Sequence, residues 1–232
     1  MRLFFFVFLF ISGLLFGTEP NWLIKDFEAC LKEARIGNKH AQYEVAQQYE
    51  TGNGIRKNTN KAYSWYWAAA EAGHKDAQFK MAMYYWDGVV VEKNDIKALM
   101  WFQGAAASGD CLSMYYAGLI YEKGCGTEPD INQAIYYYKK AAAQGLPSAY
   151  NALGVLYEQG EGVPQSYQQA IVCYRRAADY GYLKACYNLG VICQQGLGVR
   201  QDLKMAYAWY QQAAQGGHQG AKWAMIELIL CE

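Results

Sequence analysis

The sequence predicts an all-α solenoid of stacked antiparallel helix pairs, and two observations carry the prediction. Gly73, Gly109, Gly145, Gly181 and Gly217 recur every 36 residues, each three positions after a pair of alanines. A second glycine column (Gly52, Gly88, Gly124, Gly160, Gly196) and an alanine column (Ala62, Ala98, Ala134, Ala170, Ala206) keep the same period without a slip. A period of this length marks units too small to bury an apolar face alone, which must therefore stack.

Taken in order, the chain opens with residues 1–17, which read as a secretory signal. Arg2 precedes Leu3 to Phe16, an apolar run broken only by Ser12 and Gly13. As a helix that run spans about 21 Å, short of a bilayer core of about 30 Å. An uncleaved membrane anchor is the competing reading, because Leu15 is large two residues before a cut after Gly17. No cysteine follows closely enough for lipidation, and the expectation is an exported chain, periplasmic or secreted, from a bacterial envelope.

Residues 18–40 contain Trp22 to Gly37, in which Ala34 and Gly37 occupy the columns of the second alanine and the terminal glycine. This segment predicts a lone second helix that caps the stack. Five blocks follow, 41–76, 77–112, 113–148, 149–184 and 185–220, together spanning 41–220. In the fourth, Leu153, Gly154 and Tyr157 form a stripe at helical spacing, and Gly160 ends that helix by entering the left-handed region. Pro164 lies in the connector and cannot extend the helix. The second helix carries Ala170, Tyr174 and Ala177, with Gly181 as its stop. Small residues let neighbouring helices approach, and one aromatic per helix fills the layer between them. Residues 221–232 then read as a lone first helix, the C-terminal cap.

The columns Leu-Gly, Tyr, Gly-x-Gly-Val, Lys-Ala or Gln-Ala, Ala-Ala and Gly, at 36 residues per unit, resemble the Sel1-like repeat, a relative of the tetratricopeptide repeat. The resemblance runs from Ala41 onward and implies a right-handed superhelix. Departures are few: Val90 replaces a loop glycine, Cys193 the first-helix tyrosine and Cys173 a second-helix aromatic.

All seven cysteines follow the signal. Cysteine-rich relatives tie each helix pair with a disulfide between two fixed columns, and one of those columns is always alanine here, so that framework is absent. The best candidate bridge is Cys173 with Cys193, on antiparallel neighbours and about equally far from the turn between them. The alternative is that both are small buried hydrophobes. Cys111 and Cys125 belong to turns at opposite ends of one helix, too far apart to bridge.

Composition and motifs exclude most chemistry. Without residues 1–17 the chain has 20 basic and 21 acidic residues, with no basic patch of the kind that nucleic acid requires. His40, His74 and His218 fall in turns between blocks and read as solvated, with no metal-ligand spacing beside them. The Gly-x-Gly segments lack the Lys-Ser/Thr sequel of a phosphate loop. No catalytic residue, metal or cofactor is expected, and the prediction is of a protein without enzyme activity.

A surface remains. By analogy with the tetratricopeptide array, first helices line a concave side and project three positions into it: Tyr43, Gln47, Glu50; Phe79, Met83, Trp86; Tyr115, Leu119, Glu122; Asn151, Val155, Glu158; Tyr187, Val191, Gln194. The row is aromatic-rich, and Glu50, Glu122 and Glu158 form an acidic line that favours a basic partner. The competing reading packs these side chains between adjacent first helices. The expected function is a scaffold that binds a protein or peptide, with membrane contact only through an uncleaved N-terminus. Its rival is a cell-wall or β-lactam-processing protein like the cysteine-rich relatives, which the sequence disfavours because no nucleophile has a base beside it.

Overall fold

The computed structural model describes residues 21–230, with side chains described from Phe27 onward. The segment read as an export signal lies outside these residues. The chain forms two units, which meet in sequence at Asp110 and Cys111, and each is described by itself.

In the first unit, α1 (Asn21–Arg35) packs on α2 (Lys39–Thr51). That helix pairs with α3 (Thr59–Glu71), and α4 (Lys75–Asp87) pairs with α5 (Asp95–Ala107). In the second unit, α6 (Cys111–Lys123) pairs with α7 (Ile131–Ala143), α8 (Pro147–Gln159) with α9 (Tyr167–Asp179), and α10 (Leu183–Gln195) with α11 (Leu203–Gln215). There α12 (Gln219–Leu230) lies against α11. All described secondary structure is helical, and the chain is an all-α solenoid of helix hairpins.

The period has a physical origin. Each repeat is a thirteen-residue first helix, a seven-residue loop, a thirteen-residue second helix and a three-residue turn. First helices end where glycine takes a left-handed conformation, as at Gly160 with φ of 74°. Each loop then closes on one backbone bond, from Asn58 N–H to Tyr49 O at 2.8 Å in the first repeat and from Ser166 N–H to Tyr157 O at 2.8 Å in the fourth. The residue that closes the loop also caps the second helix. Asn58 and Asn94 accept from the N–H three residues on, and Asp130, Ser166 and Asp202 do the same. No described residue other than glycine has positive φ, so Val90 cannot reproduce the turn that Gly54 makes at φ of 74°.

The core repeats as well. Tyr66, Phe102, Tyr138, Tyr174 and Tyr210 share one column on the second helices, and each is fully buried. Their rings press on the facing first helix, where Gly154 has no Cβ because one would meet Tyr174 Cε1 at 2.5 Å. Gly118 and Gly190 meet Tyr138 and Tyr210 in the same way.

Candidate interaction face

The row of first-helix positions is half-buried, apart from exposed Gln47. In the first unit, Tyr43 stacks on the His74 ring at 4.4 Å, lies 5.5 Å from Tyr66, and accepts a hydrogen bond from Gln47 Nε2 at 3.2 Å. Phe79 packs on Phe102 with ring centroids 6.0 Å apart. The Lys93 ammonium lies 5.3 Å from the Trp86 ring, and Met83 is half-buried. The nearby loop frames an open hollow of about 360 Å³ lined by Tyr85, Val91, Glu92, Lys93, Asn94 and Lys97.

In the second unit, Tyr115 lies 5.7 Å from Tyr138, and Tyr187 lies 5.6 Å from Tyr210 and stacks on His218 at 4.8 Å. Asn151 accepts from Asn188 Nδ2 at 3.1 Å, which joins neighbouring first helices. Val155 and Val191 pack against the core of α9 to α12, and Leu119 is half-buried. Each of these side chains is partly covered and keeps an exposed portion, and Asn151 is hydrogen-bonded to an adjacent first helix.

The acidic line has a role that the sequence reading did not give it. The buried Tyr66 hydroxyl donates to Glu50 at 2.7 Å, Tyr138 to Glu122 at 2.5 Å and Tyr174 to Glu158 at 2.6 Å. In the fifth repeat Tyr210 donates to Gln194 at 2.7 Å. The second repeat replaces both partners at once, with Trp86 opposite Phe102, so no hydroxyl is stranded. Burial, then the carboxylate acceptor, pushes the hydroxyls of Tyr66, Tyr138 and Tyr174 far above the usual tyrosine range. Glu50 also pairs with Lys80 at 3.2 Å and accepts from Tyr84 at 3.4 Å. Glu122 and Glu158 have no ion pair among the described residues, so their charge is the part of the line that is not locally offset.

Two expectations are corrected. His74 and His218 are not simply solvated turn residues, whereas His40 is exposed. His40 and His74 lie edge to face at 4.9 Å, His74 is buried, and its Nδ1 accepts from the Ala77 N–H as a helix cap. His218 caps α12 through the Ala221 N–H at 3.1 Å. Cys173 and Cys193 are both free thiols, as are all the described cysteines. The physical reason lies in the register. Tyr121 stacks on Tyr137 within one hairpin at 5.8 Å, and one period later these columns set Tyr157 opposite Cys173, then Cys193 opposite Trp209. Cys173 and Cys193 thus belong to different hairpin pairings. Burial raises both thiols above the ordinary cysteine range, as it does Cys186, which is the reverse of an activated nucleophile. Among the described residues no group of three or more His, Cys, Asp or Glu is placed to hold a metal, and no helix is long and apolar enough to cross a membrane.

The Sel1 repeat matches residues 39–74, 75–110, 111–146, 147–182 and 183–218, and the chain belongs to the Sel1 repeat family. These units start at the first residue of each first helix, two residues before the blocks drawn from the alanine column. Sel1 repeat proteins are typically protein-interaction scaffolds, and their fold is generally non-catalytic. The chain is similar to a solved protective antigen of uropathogenic Escherichia coli with an SLR fold, at TM-score 0.82 and 27% identity over 93% of this chain and 46% of that one. It thus spans about half the length of that relative. It is also similar to a Sel1 repeat protein from Oxalobacter formigenes, at TM-score 0.77 and 30% identity over 82% of this chain and 75% of that one. No curated protein matches the sequence.

Proposed function

We propose that this protein is an exported, non-catalytic scaffold that binds a protein or peptide along the exposed parts of its first-helix rows. The observation that carries this reading is the α4 row. Phe79, Met83 and Trp86 stand one turn apart on one face, each half-buried, so part of each apolar side chain faces solvent. Packing against Phe102 restrains the Phe79 ring before binding and reduces the entropy lost on contact, and the Lys93 ammonium lies over the Trp86 ring. In the second unit Glu122 and Glu158 favour a segment with Lys or Arg, whereas Lys80 offsets Glu50 in the first.

Export to the periplasm or beyond is part of the proposal. It rests on Arg2 and the apolar run Leu3 to Phe16, and it agrees with the relative described as a protective antigen. Recovery of a partner by the wild-type chain, Phe79→Ala and Trp86→Ala tests the binding reading. Reduced recovery by both variants, with helical content retained, supports it, and unchanged recovery by both refutes it. N-terminal sequencing of the exported chain tests processing, and an intact Met1 discards the cleaved signal.

A further inference from the structure

Helix α12 carries an apolar surface that no described residue covers. Helix α12 buries Ala221, Ala224 and Leu228 and exposes Trp223, Ile226, Ile229 and Leu230, which are 68%, 47%, 58% and 79% accessible. By the repeat period these four stand in the columns of Tyr187, Gly190, Cys193 and Gln194. In earlier repeats the Gly190 column lies under a second helix and receives its buried aromatic ring, while the Tyr187 and Gln194 columns beside it are half-buried.

A further second helix in the same register does not fit α12. The column holds Ala46, Ala82, Gly118, Gly154 and Gly190, and even a Cβ at Gly190 would stand 2.4 Å from Tyr210 Cε1. Ile226 fills that space with a branched side chain, so the hollow that accepts a ring becomes a ridge. Ridges of this kind pack into the grooves between ridges of a facing helix.

The spacing identifies the occupant. Trp223, Ile226 and Leu230 fall at a, d and a of a heptad, with Lys222 at the preceding g and Glu227 at the following e. Lys222 and Glu227 are both exposed, and neither has an ion pair among the described residues. We propose that α12 is a self-association seam, on which a second copy of this chain packs its own α12 in parallel about a two-fold axis along the helices. In that arrangement Trp223, Ile226 and Leu230 meet their own equivalents, and Lys222 on each edge meets Glu227 of the second copy. An antiparallel pairing over the same seam would instead carry each Lys222 to the far end of the second helix, away from its Glu227, and bring the two Glu227 side chains together. The charges therefore select the parallel form. A seam of about three turns buries less than a standard interface, so the dimer is concentration-dependent.

Sedimentation velocity on the purified chain, over roughly a hundredfold range of concentration, tests this. The wild type is expected to pass from monomer to dimer, and Ile226→Asp to remain monomeric with unchanged helical circular dichroism. Lys222→Glu raises the dissociation constant about tenfold, and Lys222→Glu with Glu227→Lys restores it. A wild type that stays monomeric overturns the proposal, whether α12 is then covered by the apolar run 3–16 or by a different protein. So does an Ile226→Asp variant that still dimerises. Failure of the charge swap to restore association overturns the parallel seam.

Discussion

The Tyr138 hydroxyl donates to Glu122 Oε2 at 2.5 Å, from a ring that is fully buried to a carboxylate that is only half-buried. The bond joins the two helices of one hairpin and recurs, with Gln194 in place of glutamate in one repeat, wherever the column holds tyrosine. Removal of the acceptor is costlier than removal of the donor, because the hydroxyl is buried and the carboxylate still reaches water. Glu122→Leu is therefore expected to destabilise by about 2–3 kcal/mol and Tyr138→Phe by about 1 kcal/mol. Glu122→Trp with Tyr138→Phe, which copies the Trp86 and Phe102 pair, is expected to cost less than the sum of its single variants. Chemical denaturation of the four proteins measures the coupling, and strict additivity would count against the pair.

Gly154 fits beneath Tyr174 because it has no side chain. Ala46 and Ala82 occupy the same column under Tyr66 and Phe102, so Gly154→Ala is expected to cost about 1 kcal/mol, while Gly154→Val costs about 3 kcal/mol by forcing the ring out of its layer. Thermal melts of both variants provide the check, and equal midpoints for valine and wild type would contradict the packing.

His74 links stability to pH. Burial, then the neighbouring His40, lowers its pKa below the usual histidine value, and Lys39 and Lys75 act in the same direction against Asp76. The unfolded chain binds the proton first, so stability is full above about pH 6.5 and falls as pH drops below that value. Protonation also removes the Nδ1 lone pair that caps α4. His74→Asn keeps a capping oxygen of the kind Asn38 supplies and is expected to flatten melting temperature between pH 7 and pH 5. An unchanged slope would contradict this role.

Cys173 and Cys193 are free and raised by burial, and the Cys30 thiol is pushed up to about 11 by burial and then by Glu44. Slow alkylation at neutral pH is expected in the folded chain, with labelling of all three after unfolding without a reductant. Mass spectrometry of the labelled chain decides, and protection of Cys173 and Cys193 that only a reductant relieves would restore the disulfide.

The repeat and its helices were legible because glycine and alanine columns report backbone geometry, which local sequence dictates. Gly160 had to end a helix, and Gly154 had to admit a ring. The Tyr138 to Glu122 bond was also written in the chain, since Trp86 and Phe102 change together, but only a comparison of two columns sixteen residues apart reveals it. The cysteine pairing failed for a different reason. Distance along the chain from a turn does not say which face of a helix a side chain occupies, and Tyr121 stacked on Tyr137 shows the facing columns to be those within a hairpin. Turn position likewise concealed the burial of His74, because Tyr43 from the preceding first helix covers it.

The most direct test of the scaffold reading compares photo-crosslinking from Met83, on the first-helix row of α4, with crosslinking from Met100, exposed on α5. Partner captured from position 83 and not from position 100 is the expected result. Capture from position 100 alone would contradict the account.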